Sequence, residues 1–346
     1  MTKEQIDRLI VNGTFPDSPN KTVLIETHIS WVLLGNEFAY KIKKPVRYSF
    51  LDFSTLERRE FYCRREVILN NRFSADVYIQ VLPVTQSADS LSVGGERGEI
   101  IDYAVQMRKL DNTLRMDVLL GQNKVSGANI IALADRIAEF HNQTSVVKHK
   151  DIFDVADTFR DLLQEKDFLG DELEKHVHED IVHAVAISDS FVKANRVLLQ
   201  KRLKTGLFRD CHGDLHSRNI FLLPKPLLFD CIEFNDKFRR IDVLNEVAFL
   251  AMDLDSFGRR DLSDLLVKCY KERSSLMTTG EDEMLFLYYK SYRANVRVKV
   301  NSLRAKSCQV KAERAIVLNE AKRYVHLMME YLEVVTTPRT TRSTPR

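Results

Sequence analysis

The segment His212-Gly-Asp-Leu-His-Ser-Arg-Asn219, followed by Leu227-Leu-Phe-Asp230, concentrates the chemistry of this 346-residue chain. An aspartate and an asparagine with four residues between them reproduce the spacing of a phosphoryl-transfer catalytic loop. Such transfer passes through a loose transition state, which needs an oriented hydroxyl and neutralised phosphates more than covalent help from the protein. On this reading Asp214 faces the attacking hydroxyl, while Asn219 and Asp230 offer hard oxygen ligands suited to Mg2+. The apolar Leu227, Leu228 and Phe229 place Asp230 at a strand end, with Pro224 and Pro226 in the connecting turn. Two other readings stay open. The motif is then a polar turn between strands, or a transition-metal site in which His212, Asp214 and His216 alternate. A metal site needs further grouped histidines, whereas His176, His178 and His183 fall in a charged helical stretch and read as surface residues.

Upstream of the motif the pattern is mostly period two. Lys21 to Glu26, Ile29 to Leu34 and Glu37 to Ile42 read as strands, with Gly35-Asn36 as a turn. A helix is expected from about Ser54 to Asn70, with Ser54 as cap and Glu57 at the capping-box position. Ala75 to Val84 and Glu99 to Arg108 are further strands, separated by a Ser/Gly segment containing Gly94-Gly95. From Leu110 onward helical spacing dominates, as in Ile130 to His141 and Val155 to Leu169. His141, ending the first of these, reads as a buried structural histidine. The class is therefore α+β: a small antiparallel sheet with one helix, then a larger helical part. The expected divisions are 1–107 for a β-rich nucleotide-binding lobe, 108–335 for an α-rich catalytic and acceptor-binding lobe, and 336–346 for a disordered tail.

HGDLHxxN, the strand ending in Asp230 and the later Asp242 together resemble the aminoglycoside-phosphotransferase-like branch of the protein-kinase-like fold. More closely, ETHISWVLL, FAYKIKKPV, FLDF, HGDLHSRNIF, IEFND and IDVLNEVAFLAMDLD resemble a bacterial family of uncharacterised proteins in that branch, from about Glu26 to Lys299. Members of that family often carry a second, C-terminal P-loop domain. No G-x-x-x-x-G-K-[ST] occurs in this sequence, so a function needing that domain is not expected of it.

The resemblance implies a two-lobed kinase-like fold with ATP and Mg2+ as cofactors, and it gives roles to further residues. Lys41 is expected to hold the nucleotide phosphates, and Lys43 shares its face by period-two alternation. A basic, solvated edge strand is the plainer alternative for these lysines. Glu66, beside the apolar Val67, Ile68 and Leu69, is expected to pair with the lysine; Glu60, flanked by arginines, reads as a surface residue. Asp214, Lys41, Glu66 and His212 make up the catalytic set. Thr27 and Ser30, in a turn that lacks G-x-G-x-x-G, are candidates for phosphate contact, unless ETHIS is simply a bulged strand. Met107 and Leu110 are candidates to line an adenine slot where the lobes should join, or else ordinary core. Glu233 either supports the metal aspartate or reaches the acceptor. Asp242 is assigned structural support, ordering the catalytic loop by hydrogen bonds, and His216 is placed with it. Lys290, Arg293, Arg297 and Arg304 share a helix face, and Arg293 and Arg297 are candidates for an anionic acceptor; a solvated face is the alternative.

Composition narrows the function. The chain is 44% hydrophobic and 29% charged, enough for one large core or two modest ones. Its richest apolar run, Val243 to Leu254, contains Glu246 and Asp253, so no membrane span is expected, and the N-terminus has no signal-peptide core. Five scattered cysteines without a C-x-x-C pair point away from a disulfide framework or structural zinc and towards a reducing cytoplasm. The net charge of +3 is matched by Arg339, Arg342 and Arg346 in the tail, so the remainder is neutral overall and nucleic acid is not an expected partner. The expectation is a cytoplasmic, ATP- and Mg2+-dependent phosphotransferase acting on a hydroxyl of a small molecule. The alternatives are a nucleotide-sensing or partner-binding kinase relative with little turnover, and a metal-dependent hydrolase.

Overall fold

Alternating apolar residues in the first third of the chain form an antiparallel sheet, because each strand can then bury one side-chain row per face. In the computed structural model, which describes residues 1–17, 22–48, 50–88, 90–274 and 279–337, the strands are β1 (Val23–Glu26), β2 (Ser30–Leu34), β3 (Phe38–Lys43), β4 (Arg47–Tyr48), β5 (Leu51–Asp52), β6 (Tyr78–Ser87), β7 (Ser90–Val93) and β8 (Glu99–Arg108). The main sheet has six strands in the order β1-β2-β3-β8-β6-β7, and β4 and β5 form a separate hairpin. Helix α1 (Lys3–Asn12) precedes the sheet and α2 (Leu56–Ser74) crosses between β5 and β6. The helical remainder comprises α3 (Met116–Gly121), α4 (Gly127–Gln143), α5 (Asp154–Arg160), α6 (Lys166–Glu172), α7 (His176–Ala194), α8 (Arg196–Lys204), α9 (Asp236–Arg239), α10 (Val243–Ser256), α11 (Arg260–Arg273), α12 (Gly280–Ser307) and α13 (Lys311–Thr336). Short strands β9 (Phe208–Asp210), β10 (Ile220–Phe221), β11 (Leu227–Leu228) and β12 (Arg240–Asp242) interrupt it. The tail from 338 onward lies outside the described residues.

Two compact units result. The first is Met1–Asn123 with His212–Asp214 and Arg218–Arg239; the second is Lys124–Cys211, Leu215–Ser217 and the chain from Arg240 onward. In the first, parity on β3 sets the site. Tyr40 and Ile42 are fully buried in a core with Trp31, Leu33, Val84, Ala104 and the α1 residues Ile6 and Leu9. Each such side chain contributes roughly 1.5–3 kcal/mol on burial, which pins the register. Lys41 and Lys43 are thereby forced onto the opposite face, where Cys63 of α2, Val105 of β8 and Tyr78 of β6 form the second core.

The second unit is built on α10, every residue of which is buried. This explains why the richest apolar run carries acids: Glu246 and Asp253 are enclosed and find partners. His141 is buried as expected, its ring nitrogens hydrogen-bonded to the Tyr270 hydroxyl at 2.6 Å and to Glu246 at 3.3 Å.

Several boundaries differ from expectation. The cap of α2 is Thr55, which accepts from the Arg58 amide; the Ser54 hydroxyl instead donates to Asp52 at 2.6 Å. The helix expected over 155–169 is split into α5, a 3-10 turn and α6. Asn295 of α12 donates to the Phe159 carbonyl, which a continuous helix would keep for itself. β7 and α1 were not anticipated. β7 lies in the Ser/Gly segment and buries Leu91 and Val93 after a turn in which Ala88 has φ +47°.

All five cysteines are unpaired, and four are buried; Cys308 is partly exposed. Burial pushes the Cys63 thiol up to about 12, so it supplies no reactive thiolate at about pH 8. Alkylation of the folded protein is expected to modify Cys308 and spare Cys63, Cys211, Cys231 and Cys269, as peptide mapping would read. Labelling of Cys63 without denaturant would contradict this packing. Among the described residues no helix is long and apolar enough to cross a membrane.

Candidate active site

A two-stranded hairpin brings the motif residues together within the first unit. β10 and β11 pair with Ile220 opposite Leu228, and the Phe229 amide donates to the Asn219 carbonyl at 3.1 Å. Asn219 and Asp230 therefore flank the same end of the hairpin. The Asn219 side-chain amide donates to both the backbone oxygen and the Oδ2 of Asp214, each at 3.0 Å. Its nitrogen is committed to the aspartate, which leaves its oxygen as the atom able to serve a hard cation. That donor set, an amide oxygen and a carboxylate, fits Mg2+ better than a softer metal.

His212 is fully buried. Its Nε2 donates to the Phe229 carbonyl at 2.9 Å, and its Nδ1 accepts the Asp214 amide at 3.3 Å, which defines a neutral ring. The ring also meets Phe73 edge-on at 5.0 Å. Gly213 has φ +87°, and a Cβ there would lie 2.8 Å from the Phe238 carbonyl oxygen, so the position requires glycine.

Asp230 has φ +61°, a conformation that Asp tolerates better than most residues but which still needs support. Two side chains provide it. The Asp230 amide donates to the Tyr78 hydroxyl at 3.0 Å, and the next amide, Cys231, donates to Asn70 Oδ1 at 2.8 Å. Neither Tyr78 nor Asn70 was singled out from the sequence. Asn70 was legible only as one member of the stripe Arg59, Cys63, Glu66, Asn70 and Phe73, the buried face of α2.

Glu66 is fully buried and is shared by two lysines. Lys41 Nζ lies 2.8 Å from its Oε1 and 2.6 Å from Asp230 Oδ1; Lys43 Nζ lies 2.6 Å from its Oε2 and also bonds Glu233. Burial works against the charge of Lys41, but Asp230, Glu66 and Glu233 outweigh it and hold its pKa well above the ordinary value. Lys43 is raised in the same way, burial being overcome by Glu233 and Glu66. Burial likewise opposes ionisation of Glu66, yet Lys41 and Lys43 hold its carboxyl below the usual range. Glu233 shares Lys43 with it, and burial together with the Glu66 charge pushes its carboxyl up. The two remaining candidates fall elsewhere: Lys44 pairs with Glu26 at 2.6 Å, and Glu60 pairs with Arg64 at 2.8 Å on the surface of α2.

The expected phosphate turn is tightly closed on itself. Thr27 Oγ accepts the Ser30 amide at 2.9 Å and donates to the Ser30 carbonyl at 3.1 Å, and Ser30 is buried. Met107 and Leu110 are partly buried against the core formed by Cys63, Val77, Tyr78 and Val105.

Asp242, His216, Arg293 and Arg297 belong to the second unit. Asp242 caps α10 through the Leu244 amide and takes a bidentate Arg202 at 2.6 and 2.8 Å. The loop amide of Ser217 is held by a different carboxylate, Asp253 Oδ2 at 2.8 Å. Its position one turn before the end of the apolar α10 gave no sequence signal that separates it from its acidic neighbours. His216 packs its ring against Phe249. Three of the four basic residues of the α12 stripe turn inward: Arg293 donates to Asn245 Oδ1 at 2.6 Å over the Phe249 ring, Arg297 lies over Tyr324, and Lys290 pairs with Asp255, while Arg304 stays at the surface with Glu313.

No family model matches the sequence. Uncharacterised proteins of Mycobacterium tuberculosis and Mycobacterium bovis are 33% identical to it over 317 residues, or 90% of this chain. The chain spans 60% of the length of these curated relatives. The α+β, protein-kinase-like fold is shared with solved structures. A choline/ethanolamine kinase family protein from Mesorhizobium loti superposes with a TM-score of 0.55 at 12% identity, covering 97% of this chain and 99% of that one. A choline kinase from Cryptosporidium parvum superposes with a TM-score of 0.52 at 10% identity, covering 90% and 88% respectively. At these identities the likeness is one of fold.

Proposed function

We propose that the protein is an ATP- and Mg2+-dependent phosphotransferase that moves the γ-phosphate to a hydroxyl of a small molecule. The observation that carries this is the pairing of two bonded groups at one end of the β10–β11 hairpin, Asp214 with Asn219 on one strand and Asp230 with Lys41 and Glu66 on the other. Asp214 orients or deprotonates the acceptor hydroxyl. Asn219 and Asp230 hold Mg2+, whose charge offsets that of the phosphates. Lys41, braced by Glu66, positions the phosphates, and Met107 and Leu110 offer the adenine an apolar surface. His212 and Gly213 shape the loop. The five unpaired cysteines suit a reducing cytoplasm, and the fold shared with a choline/ethanolamine kinase family protein and a choline kinase favours a small alcohol as acceptor.

A thermal-shift titration with ATP, with and without Mg2+, tests this, since binding to the folded state raises the melting temperature by mass action. ATP with Mg2+ is expected to stabilise the wild type, and the Mg2+-dependent part of the shift is expected to vanish in Asp230→Asn. No shift at millimolar nucleotide would refute the reading. Binding without transfer to any of a broad set of alcohols would favour a nucleotide sensor.

A further inference from the structure

Lys43 has no place in the mechanism above, yet it is the more deeply enclosed of the two lysines on Glu66. Its side chain is 1% exposed against 12% for Lys41, and its ammonium lies 4.8 Å from the centre of the Phe53 ring. It is walled in by Phe53, Glu66 and Glu233, so it cannot swing out to a nucleotide. The carboxylate of Glu66 is divided, one oxygen to each lysine.

Lys41 is differently placed. Its second partner is Asp230, the residue assigned to Mg2+, and a carboxylate that takes a divalent cation no longer needs the ammonium. When Lys41 turns towards phosphates, its charge is shared between them and Glu66, and a fully buried carboxylate without a full counter-charge is strongly disfavoured. Lys43 is the fixed counter-charge. Its other partner, Glu233, lies three residues beyond Asp230, so the pair also ties the metal-binding segment to β3 and α2.

We propose that Lys43, anchored by Glu233, is a positioning residue that keeps Glu66 in place while Lys41 exchanges Asp230 for the nucleotide phosphates. This rests on the phosphotransferase reading. Lys43 thereby acts on phosphate binding without touching the nucleotide.

The test compares binding of MgATP with binding of adenosine, which does not reach Lys41. Lys43→Met is expected to weaken MgATP by about tenfold, the size of an ordinary coupling between neighbouring charged groups, and to leave adenosine affinity unchanged. Lys43→Arg is expected to recover most of the loss. In Lys43→Met/Glu233→Gln the charge balance is restored, so the melting temperature should return towards wild type while MgATP stays weak, because Glu66 still lacks its second cation. A purely structural Lys43 would instead let MgATP affinity recover along with stability. Wild-type MgATP affinity in Lys43→Met would overturn the proposal. If that variant does not fold, Glu233→Gln, which keeps Lys43 but releases its anchor, should weaken MgATP and spare adenosine; no change would overturn the proposal equally. Failure of the wild type to bind either ligand would instead remove the phosphotransferase reading, and this inference with it.

Discussion

With Asp214 changed to Asn, transfer of labelled γ-phosphate to an acceptor alcohol is expected to fall about 10²–10⁴-fold, the usual cost of losing a positioned general base, while ATP binding is kept. The substitution is nearly isosteric, and the contacts that shape the loop survive it. His212 Nδ1 still accepts the amide of residue 214, and the Asn219 side chain still reaches the backbone oxygen of that residue. What disappears is the negative charge and the acceptor that would receive the hydroxyl proton. The assay is a single-turnover measurement with labelled ATP and a panel of small alcohols, alongside nucleotide binding. Near-normal turnover would exclude Asp214 from facing the acceptor, and a parallel loss of binding would mean that the loop had collapsed.

The largest effect on stability is expected at Arg202. Its guanidinium is buried in the second unit, bidentate on Asp242 and bonded through Nη1 to Asp282 at 2.8 Å. Both acids sit at helix starts: Asp242 caps α10, and Asp282 completes the capping box of α12 with Thr279. Arg202→Met leaves two buried carboxylates without their cation, which costs about 3–5 kcal/mol. The helix N-termini return part of this, since their partial positive charge favours an anion. At about 2–4 °C per kcal/mol the melting temperature should drop by roughly 10 °C. Arg202→Lys should fall in between, because one ammonium cannot reproduce the forked contact. A drop of less than about 2 °C for Arg202→Met would show that the triad adds little, as some buried ion pairs do.

The site was legible in proportion to how local its geometry is. Asp214, Asn219 and Asp230 lie within one loop and one hairpin, so their spacing nearly dictates that they converge. The Lys41 and Lys43 parity was equally readable, because alternation on a strand follows from the pleat. Glu66 is a different case. The apolar run beside it, Val67 to Leu69, suggested an inward face, but Ile68 is 68% exposed and Phe61 56%. Glu66 is buried because α2 turns a stripe of mostly polar residues inward, and hydrophobicity gives no signal of that. The stripe on α12 illustrates the same limit: basic residues at helical spacing read as a surface or a substrate face, yet Lys290, Arg293 and Arg297 are interior, matched by Asp255, Asn245 and aromatic rings.

The α+β class, the antiparallel strands, the helical remainder and the order of the candidate motif could be read from the sequence, since periodicity and short spacings are properties of neighbouring residues. Tertiary structure decided what each carboxylate holds. Asp253 rather than Asp242 takes the loop amide, Tyr78 and Asn70 fix the left-handed turn at Asp230, and Lys43 and Glu233 meet across 190 residues of chain. Burial makes such pairings strong and obligatory, because an enclosed charge must find a partner, and the packing of distant elements selects which one.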